Sequence, residues 1–305
     1  MLIVLLISSN GCMTFEAVDD AEAQTHLDEK GHVIVDEKSH PAYYALLPLS
    51  VPADVALSPA EIIFSSYMIW AMRAGEPFPT ALKKGQIAFY VLGGNENTLY
   101  DWIGTNTGVA FNVTLTNDFC DTPTNTYYFN GSNSYIQTVH PMQDLTNATF
   151  SLWFNANLTG KSETLLSDAD SGSSNYCKIA LVSDGSVSGI YIVANKNGAG
   201  NGIIITNGIG KFRQRITNKW LNLIWVMSPT NQQVYVNGVK VANESATAND
   251  VGYHGNGLVI GADDSTYPYQ NYFCGAIGNI TIYNRALSTN EVSQLYNRSI
   301  PYNFH

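Results

Sequence analysis

Gly275-Ala276-Ile277-Gly278-Asn279-Ile280-Thr281-Ile282-Tyr283-Asn284-Arg285-Ala286-Leu287-Ser288 decides the fold. Ile277, Thr281 and Tyr283 mark a strand, and Asn284-Arg285-Ala286 breaks it. Ser288-Thr289-Asn290-Glu291 then has capping-box spacing, with Val292, Leu295 and Tyr296 as the apolar stripe of a short helix. Strand, turn, box and helix in this order describe the closing edge of an all-β domain with one C-terminal helix.

Upstream lies a string of short strand candidates: 87–91, 127–129, 135–139, 149–154, 178–182, 189–194, 202–206, 220–227, 233–236, 239–241 and 258–260. Asn130-Gly131, Asp184-Gly185, Asn197-Gly198 and Asn237-Gly238 punctuate them, and Asn-Gly and Asp-Gly are the turn dipeptides of tight hairpins. Thr149 to Phe154 alternates, with the aromatics and Leu152 sharing a face. Many short, turn-punctuated strands predict a sandwich or barrel.

Four pieces together resemble the laminin-G-like/concanavalin A-like jelly roll of bacterial surface proteins. They are Gly85-Gln86-Ile87-Ala88-Phe89-Tyr90 with Gly94-Asn95 and Asp101, Tyr128 to Ile136, Tyr235-Val236-Asn237-Gly238, and the closing stretch quoted above. The resemblance spans 81–300. It implies a two-sheet antiparallel jelly-roll sandwich with a short C-terminal helix, residues 301–305 being a tail.

Before that domain the chain divides into three. Residues 2–7 are apolar, and small residues lead to Gly11-Cys12. The run is too short for a membrane span, which needs about 20 residues, and has the pattern of a signal peptide. It resembles a bacterial lipobox, which implies cleavage before Cys12 and lipidation of that residue; an apolar first strand with a buried Cys12 is the other reading. Residues 13–40 form an acidic spacer, crowded with Glu16, Asp19, Asp20, Glu22, Asp28, Glu29, Asp36 and Glu37. Residues 41–80 are a Pro-rich segment and linker. Pro48-Leu49-Ser50, Asp54 and Pro59 are similar to the pattern of YceK/YidQ-type lipoproteins, which supports export and lipidation, with an outer-membrane lipoprotein expected. The prolines bar a long helix there.

Composition narrows the function. The chain has 305 residues, a net charge of −10, 13% charged and 11% aromatic residues. Phosphate binding needs a surplus of Lys and Arg, so nucleic acid is not a partner. No CxxC pair occurs among Cys12, Cys120, Cys177 and Cys274, which argues against a zinc site. Cys177–Cys274 and Cys120–Cys274 both remain open as bridges. Seven Asn-x-Ser/Thr sequons (Asn112, Asn130, Asn147, Asn157, Asn243, Asn279 and Asn297) would carry glycan only in a eukaryotic secretory setting.

Catalytic signatures are missing. A glycosidase needs two carboxylates flanking the scissile bond, about 5–5.5 Å apart if retaining. No Glu-x-Asp-x-x-Glu strand occurs. Asp168-Ala169-Asp170 reads as a loop beside Ser171-Gly172-Ser173-Ser174, and Glu163 falls outside the expected strands. There is no Gly-x-Ser-x-Gly, His-Glu-x-x-His or P-loop. The expectation is a binding protein, not an enzyme.

Two ligand classes remain. The resemblance implies a calcium rim site at Asp101 and at the strand-end position held by Asn279. Asp168 and Asp170 are a second oxygen-ligand candidate, against their reading as turn residues. Asp263-Asp264-Ser265-Thr266-Tyr267-Pro268-Tyr269-Gln270-Asn271-Tyr272 mixes aromatic and polar groups. Its rings Tyr267, Tyr269 and Tyr272 suit the apolar face of a sugar, with Asp263 and Asp264 for its hydroxyls. The same loop suits a protein partner, since Tyr is enriched at interfaces. The reading is a lipid-anchored surface protein that recognises glycan or protein. A self-associating envelope or filament component is the alternative, and a diverged glycoside hydrolase comes last.

Overall fold

The computed structural model describes residues 25–27, 33–35, 80–93, 97–117, 126–139, 145–169, 176–183, 188–196, 199–205, 216–245 and 257–299. The expectations for Cys12, the Pro-rich segment, Cys120, Asp170 and the tail lie outside them. Within the acidic spacer, β1 (Thr25–Leu27) and β2 (Val33–Val35) pair antiparallel.

The remaining elements run in chain order. First come α1 (Thr80–Lys83), β3 (Gln86–Tyr90), β4 (Thr98–Leu99), β5 (Gly108–Phe111), β6 (Thr114–Thr116) and β7 (Thr126–Asn130). Next are β8 (Tyr135–Thr138), β9 (Ala148–Ala156), β10 (Glu163–Ala169), β11 (Tyr176–Ser183), β12 (Ser188–Lys196) and β13 (Ala199–Ile205). Then follow β14 (Trp220–Ser228), β15 (Asn231–Val236), β16 (Val239–Ser245), β17 (Val259–Ile260), β18 (Cys274–Tyr283) and α2 (Thr289–Ser299). They build two eight-stranded sheets. One, the front sheet, has the order β13-β12-β11-β10-β17-β8-β5-β4. The other, the back sheet, has the order β16-β15-β14-β9-β18-β7-β6, with β3 added on β18. Every strand pairing is antiparallel, as the resemblance implies.

The core lies between the sheets. Phe150, Leu152, Phe154, Trp225, Ile277, Ile280 and Ile282 meet Ile136, Leu166, Ile179, Ile192 and Ile260. Trp225 stacks on Phe150 at 5.2 Å, and its indole N–H donates to Gln232 Oε1 at 3.1 Å, so the buried polar group is satisfied.

The back sheet is covered on its outer face as well. Leu82, Ile224, Val226, Tyr235, Tyr283, Leu287, Val292 and Leu295 form a second cluster beneath α2. This double burial leaves β9 and β14 buried along nearly their whole length, the polar Thr149, Ser151 and Asn222 included. The capping box forms: Glu291 N donates to Ser288 Oγ at 3.3 Å, and Ser288 N to Glu291 Oε2 at 2.8 Å. Arg285 ties the helix entry to α1 through Ala81 O and Lys84 O, and pairs with Glu291 at 2.8 Å.

Two expectations are corrected and a third is extended. Residues 163–169 are a strand, β10, buried along its length, so Glu163 and Asp168 are strand residues. Asn130-Gly131 turns as expected, with Gly131 at φ 75°, and the strands it joins lie in opposite sheets. Cys177 and Cys274 are both free, buried thiols, one in each sheet.

Candidate functional site

Strand alternation sets what the front sheet presents. Ile136, Ile179, Ile192 and Cys177 point into the core. Their neighbours Tyr135, Ser167, Lys178 and Val109 therefore face outward. Residues 261–273, between β17 and β18, fold back over this outward face. Asp263 and Gln270 exchange backbone hydrogen bonds at 2.8 and 3.1 Å, which makes the segment a small hairpin with Thr266 to Tyr269 at its tip. Gly261 opens it at φ 82°, where an added Cβ would lie 2.3 Å from the Phe129 ring, so only glycine fits.

The sequence offers Asp263 and Asp264 to a ligand. The structure turns both onto the sheet, where half-buried Lys178 and the buried donors of Ser167 and Ala169 need acceptors. Lys178 Nζ reaches Asp263 Oδ2 at 2.6 Å, and Asn271 Nδ2 reaches the same oxygen at 3.1 Å. Ser265 N donates to Asp263 Oδ1 at 3.1 Å. Asp264 accepts from the Ser167 hydroxyl and, at 3.0 Å, from Ala169 N. Burial pushes both carboxyls up. For Asp263, Lys178 and Ser265 outweigh it, and the pKa falls below its ordinary value. For Asp264 burial prevails over Ser167 and Ala169, and the pKa rises. The two aspartates anchor the hairpin.

The tyrosines behave differently. Tyr267 at the tip is 92% exposed. Behind it the rings brace one another: Tyr267 on Tyr269 at 6.1 Å edge-on, Tyr269 on Tyr135 at 4.9 Å edge-on, and Tyr135 stacked on Phe111 at 4.6 Å. Tyr135 and Phe111 thus spend their faces on each other, while Tyr267 keeps its own for solvent. Tyr269 is pushed up to about 12 by burial and then by Asp264, so its hydroxyl stays protonated. Tyr272 is half-buried at the base, bridging to Thr164 of β10. Thr266, Gln270 and Asn271 are exposed around the tip.

Sequence reading missed Phe111, Tyr135, Ser167 and Lys178. Lys178 carried a signal: it is the single charge in Ile179-Ala180-Leu181-Val182 and its flank, a lone cation on an apolar strand that needs an anion.

The calcium candidates separate. Asp101 Oδ1 accepts N–H groups from Phe89, Ile103 and Gly104, and Oδ2 accepts the backbone and side-chain N–H of Asn106, all at 3.0–3.2 Å. Its lone pairs are spent on shaping the loop after β4. Asp101 bridges Tyr90, which pairs with Ile280, so β3 stands between Asp101 and the half-buried Asn279. Asp168 is buried on the front sheet opposite Cys177. Among the described residues no three of His, Cys, Asp and Glu gather as a metal site. Asp101, Asn279 and Asp168 are thus not brought together as one ligand set, and Asp170 lies outside the described residues.

The comparisons bear on this arrangement. The family model described as "Concanavalin A-like lectin/glucanases superfamily" matches residues 130–293. No curated protein matches. Among solved structures, the receptor binding domain of botulinum neurotoxin C/D mosaic serotype is 15% identical with a TM-score of 0.53, covering 70% of this chain and 51% of that one. The binding domain of Paraclostridial Mosquitocidal Protein 1 is 19% identical at 0.53, covering 71% and 52%. The chain thus spans about half the length of these toxin domains. Domain 4 of AbnA, a GH43 extracellular arabinanase from Geobacillus stearothermophilus, solved with arabinotriose, is 19% identical at 0.53, covering 69% of this chain and 98% of that one. At such identities the likeness is one of fold.

Proposed function

Since the chain belongs to the concanavalin A-like lectin/glucanases superfamily, we propose that it is a binding protein whose hairpin 261–273 recognises glycan. One observation carries the reading: a tyrosine 92% exposed at the tip of a hairpin that buried ion-pair and hydrogen-bond anchors hold rigidly on the sheet. An aromatic ring held out in water, touched only edge-on by Tyr269 and with its faces open, is suited to binding, because part of its ordering cost is met before the ligand arrives. Tyr267 stacks on the apolar face of a sugar, and exposed Thr266, Gln270 and Asn271 serve its hydroxyls. The arabinotriose in the complex of the similar arabinanase domain supports a sugar as ligand.

On this reading the protein is exported and held at the cell envelope by lipid on Cys12. Incorporation of labelled fatty acid that vanishes in Cys12→Ser is expected; unchanged labelling excludes that anchor. A glycan array probed with the full chain, with and without added calcium, tests the binding. Tyr267→Ala should lose the signal while leaving stability within about 0.5 kcal/mol, as befits an exposed residue. Full retention by Tyr267→Ala removes the hairpin tip from the site. Absence of any glycan signal transfers the hairpin to a protein partner.

A further inference from the structure

We propose a second sugar subsite on the same sheet face, built from Tyr191, Tyr176 and Asn195 on the far side of the hairpin, so that the ligand is an extended neutral oligosaccharide. The proposal rests on the glycan reading above. Residues 191, 193 and 195 of β12 alternate outward and pair with Ala180, Lys178 and Tyr176 of β11. They therefore share the face that holds the Lys178–Asp263 anchor.

Two features make this a place for a ligand. Tyr191 pairs with Ile204 of β13, next to which Gly202 leaves room for the ring: an added Cβ there would meet Tyr191 Cε2 at 2.7 Å and its hydroxyl at 3.0 Å. The half-buried ring thus rests against the β13 backbone, with a side chain deleted beneath it. Tyr176 on β11 is its neighbour on this face, and burial followed by that neighbour raises Tyr191 to about 12. Asn195, the cross-strand partner of Tyr176, is only 8% exposed, yet its Oδ1 accepts no hydrogen bond. A buried acceptor left empty is costly and rare in native structures. A sugar hydroxyl beside Tyr176 would supply its donor.

The two subsites are far enough apart to read chain length. Tyr135, under the hairpin tip, lies on β8, and Tyr191 lies on β12, four strands away. At ~4.8 Å per strand the separation is roughly 19 Å, beyond the reach of one sugar ring. Charge specifies the ligand further. Lys178 is spent on Asp263 between the subsites, so it is not held out for a carboxylate or sulfate.

The test is a titration of the full chain with linear neutral arabino- and gluco-oligosaccharides, from disaccharide to octasaccharide. Affinity should rise with length. Tyr191→Ala and Asn195→Ala should weaken the longest ligands by about tenfold and leave disaccharide binding unchanged. Tyr191→Phe, which keeps the ring and loses the hydroxyl, should retain most of the gain. Tyr267→Ala should weaken every length. Flat length dependence, or an octasaccharide bound equally by Tyr191→Ala and the unaltered chain, overturns the second subsite and leaves the first intact. No binding at any length overturns both.

Discussion

The Asp101 carboxylate accepts five N–H groups, one of them from buried Phe89. Asp101→Asn keeps the shape and turns an amide donor against those donors. A loss of about 2–4 kcal/mol is expected, read as a lower urea midpoint at constant slope; a shift below ~0.5 kcal/mol would deny the residue its organising role. The resemblance offered Asp101 as a calcium ligand, whereas in the fold its oxygens accept N–H groups of its own loop and of Phe89. Its partners could not be read, because four unremarkable backbone amides leave no trace in residue type. Asp263 carries a pH signature. Its folded pKa is lowered, so its contribution is complete above its ordinary value of 3.8 and is lost as pH falls through the lower folded value. Release of the hairpin should therefore appear below pH 3.8 as loss of the Tyr269–Tyr135 ring contact by NMR. Lys178→Met should move that transition to higher pH, and an unmoved transition would exclude the ion pair as its cause.

At the element scale, α2 is held by its cap. Glu291 is lowered to about 2, first by Arg285 and then by the Ser288 N–H and hydroxyl, against burial. Its stabilisation is present above the ordinary 4.5 and disappears as pH drops toward 2. Ser288→Ala should cost about 1 kcal/mol at neutral pH. Arg285→Met should raise the pH at which α2 loosens, followed by amide exchange at Val292 and Leu295; the same profile in both proteins would contradict the pairing. This box was legible because its four residues are consecutive. The Asn237-Gly238 hairpin was legible too, with φ of 48° and 73° at its two turn residues. Strand β10 was not. It is buried on both faces, so it lacks alternation, and its carboxylates imitate a loop. The Asn130-Gly131 turn was seen, but a local dipeptide does not say to which sheet the next strand goes. β4, β5 and β6 are too short to show a period.

Over the whole molecule, the jelly roll was readable because its punctuation is local, whereas the site is not. The hairpin meets the sheet through contacts 85 to 97 residues apart in sequence. Composition pointed to the hairpin, and only the fold shows that Asp263 and Asp264 face the sheet while Tyr267 faces solvent. The same fold lays Tyr191 and Asn195 across the outward surface, where no sequence pattern marks them. Burial explains the division of labour between the sheets. The back sheet spends both faces on packing. The front sheet keeps its outward face for the hairpin, with exposed Val109 and Phe111 at one side and Ile204 at the other. The most direct measurement is side-chain and amide chemical-shift mapping of the full chain on addition of the glycan that binds it. The account predicts perturbations at Tyr267, Tyr269, Gln270 and Asn271, spreading to Tyr191 and Asn195 with longer ligands. Perturbations confined to the back sheet, around β16 or α2, would contradict it.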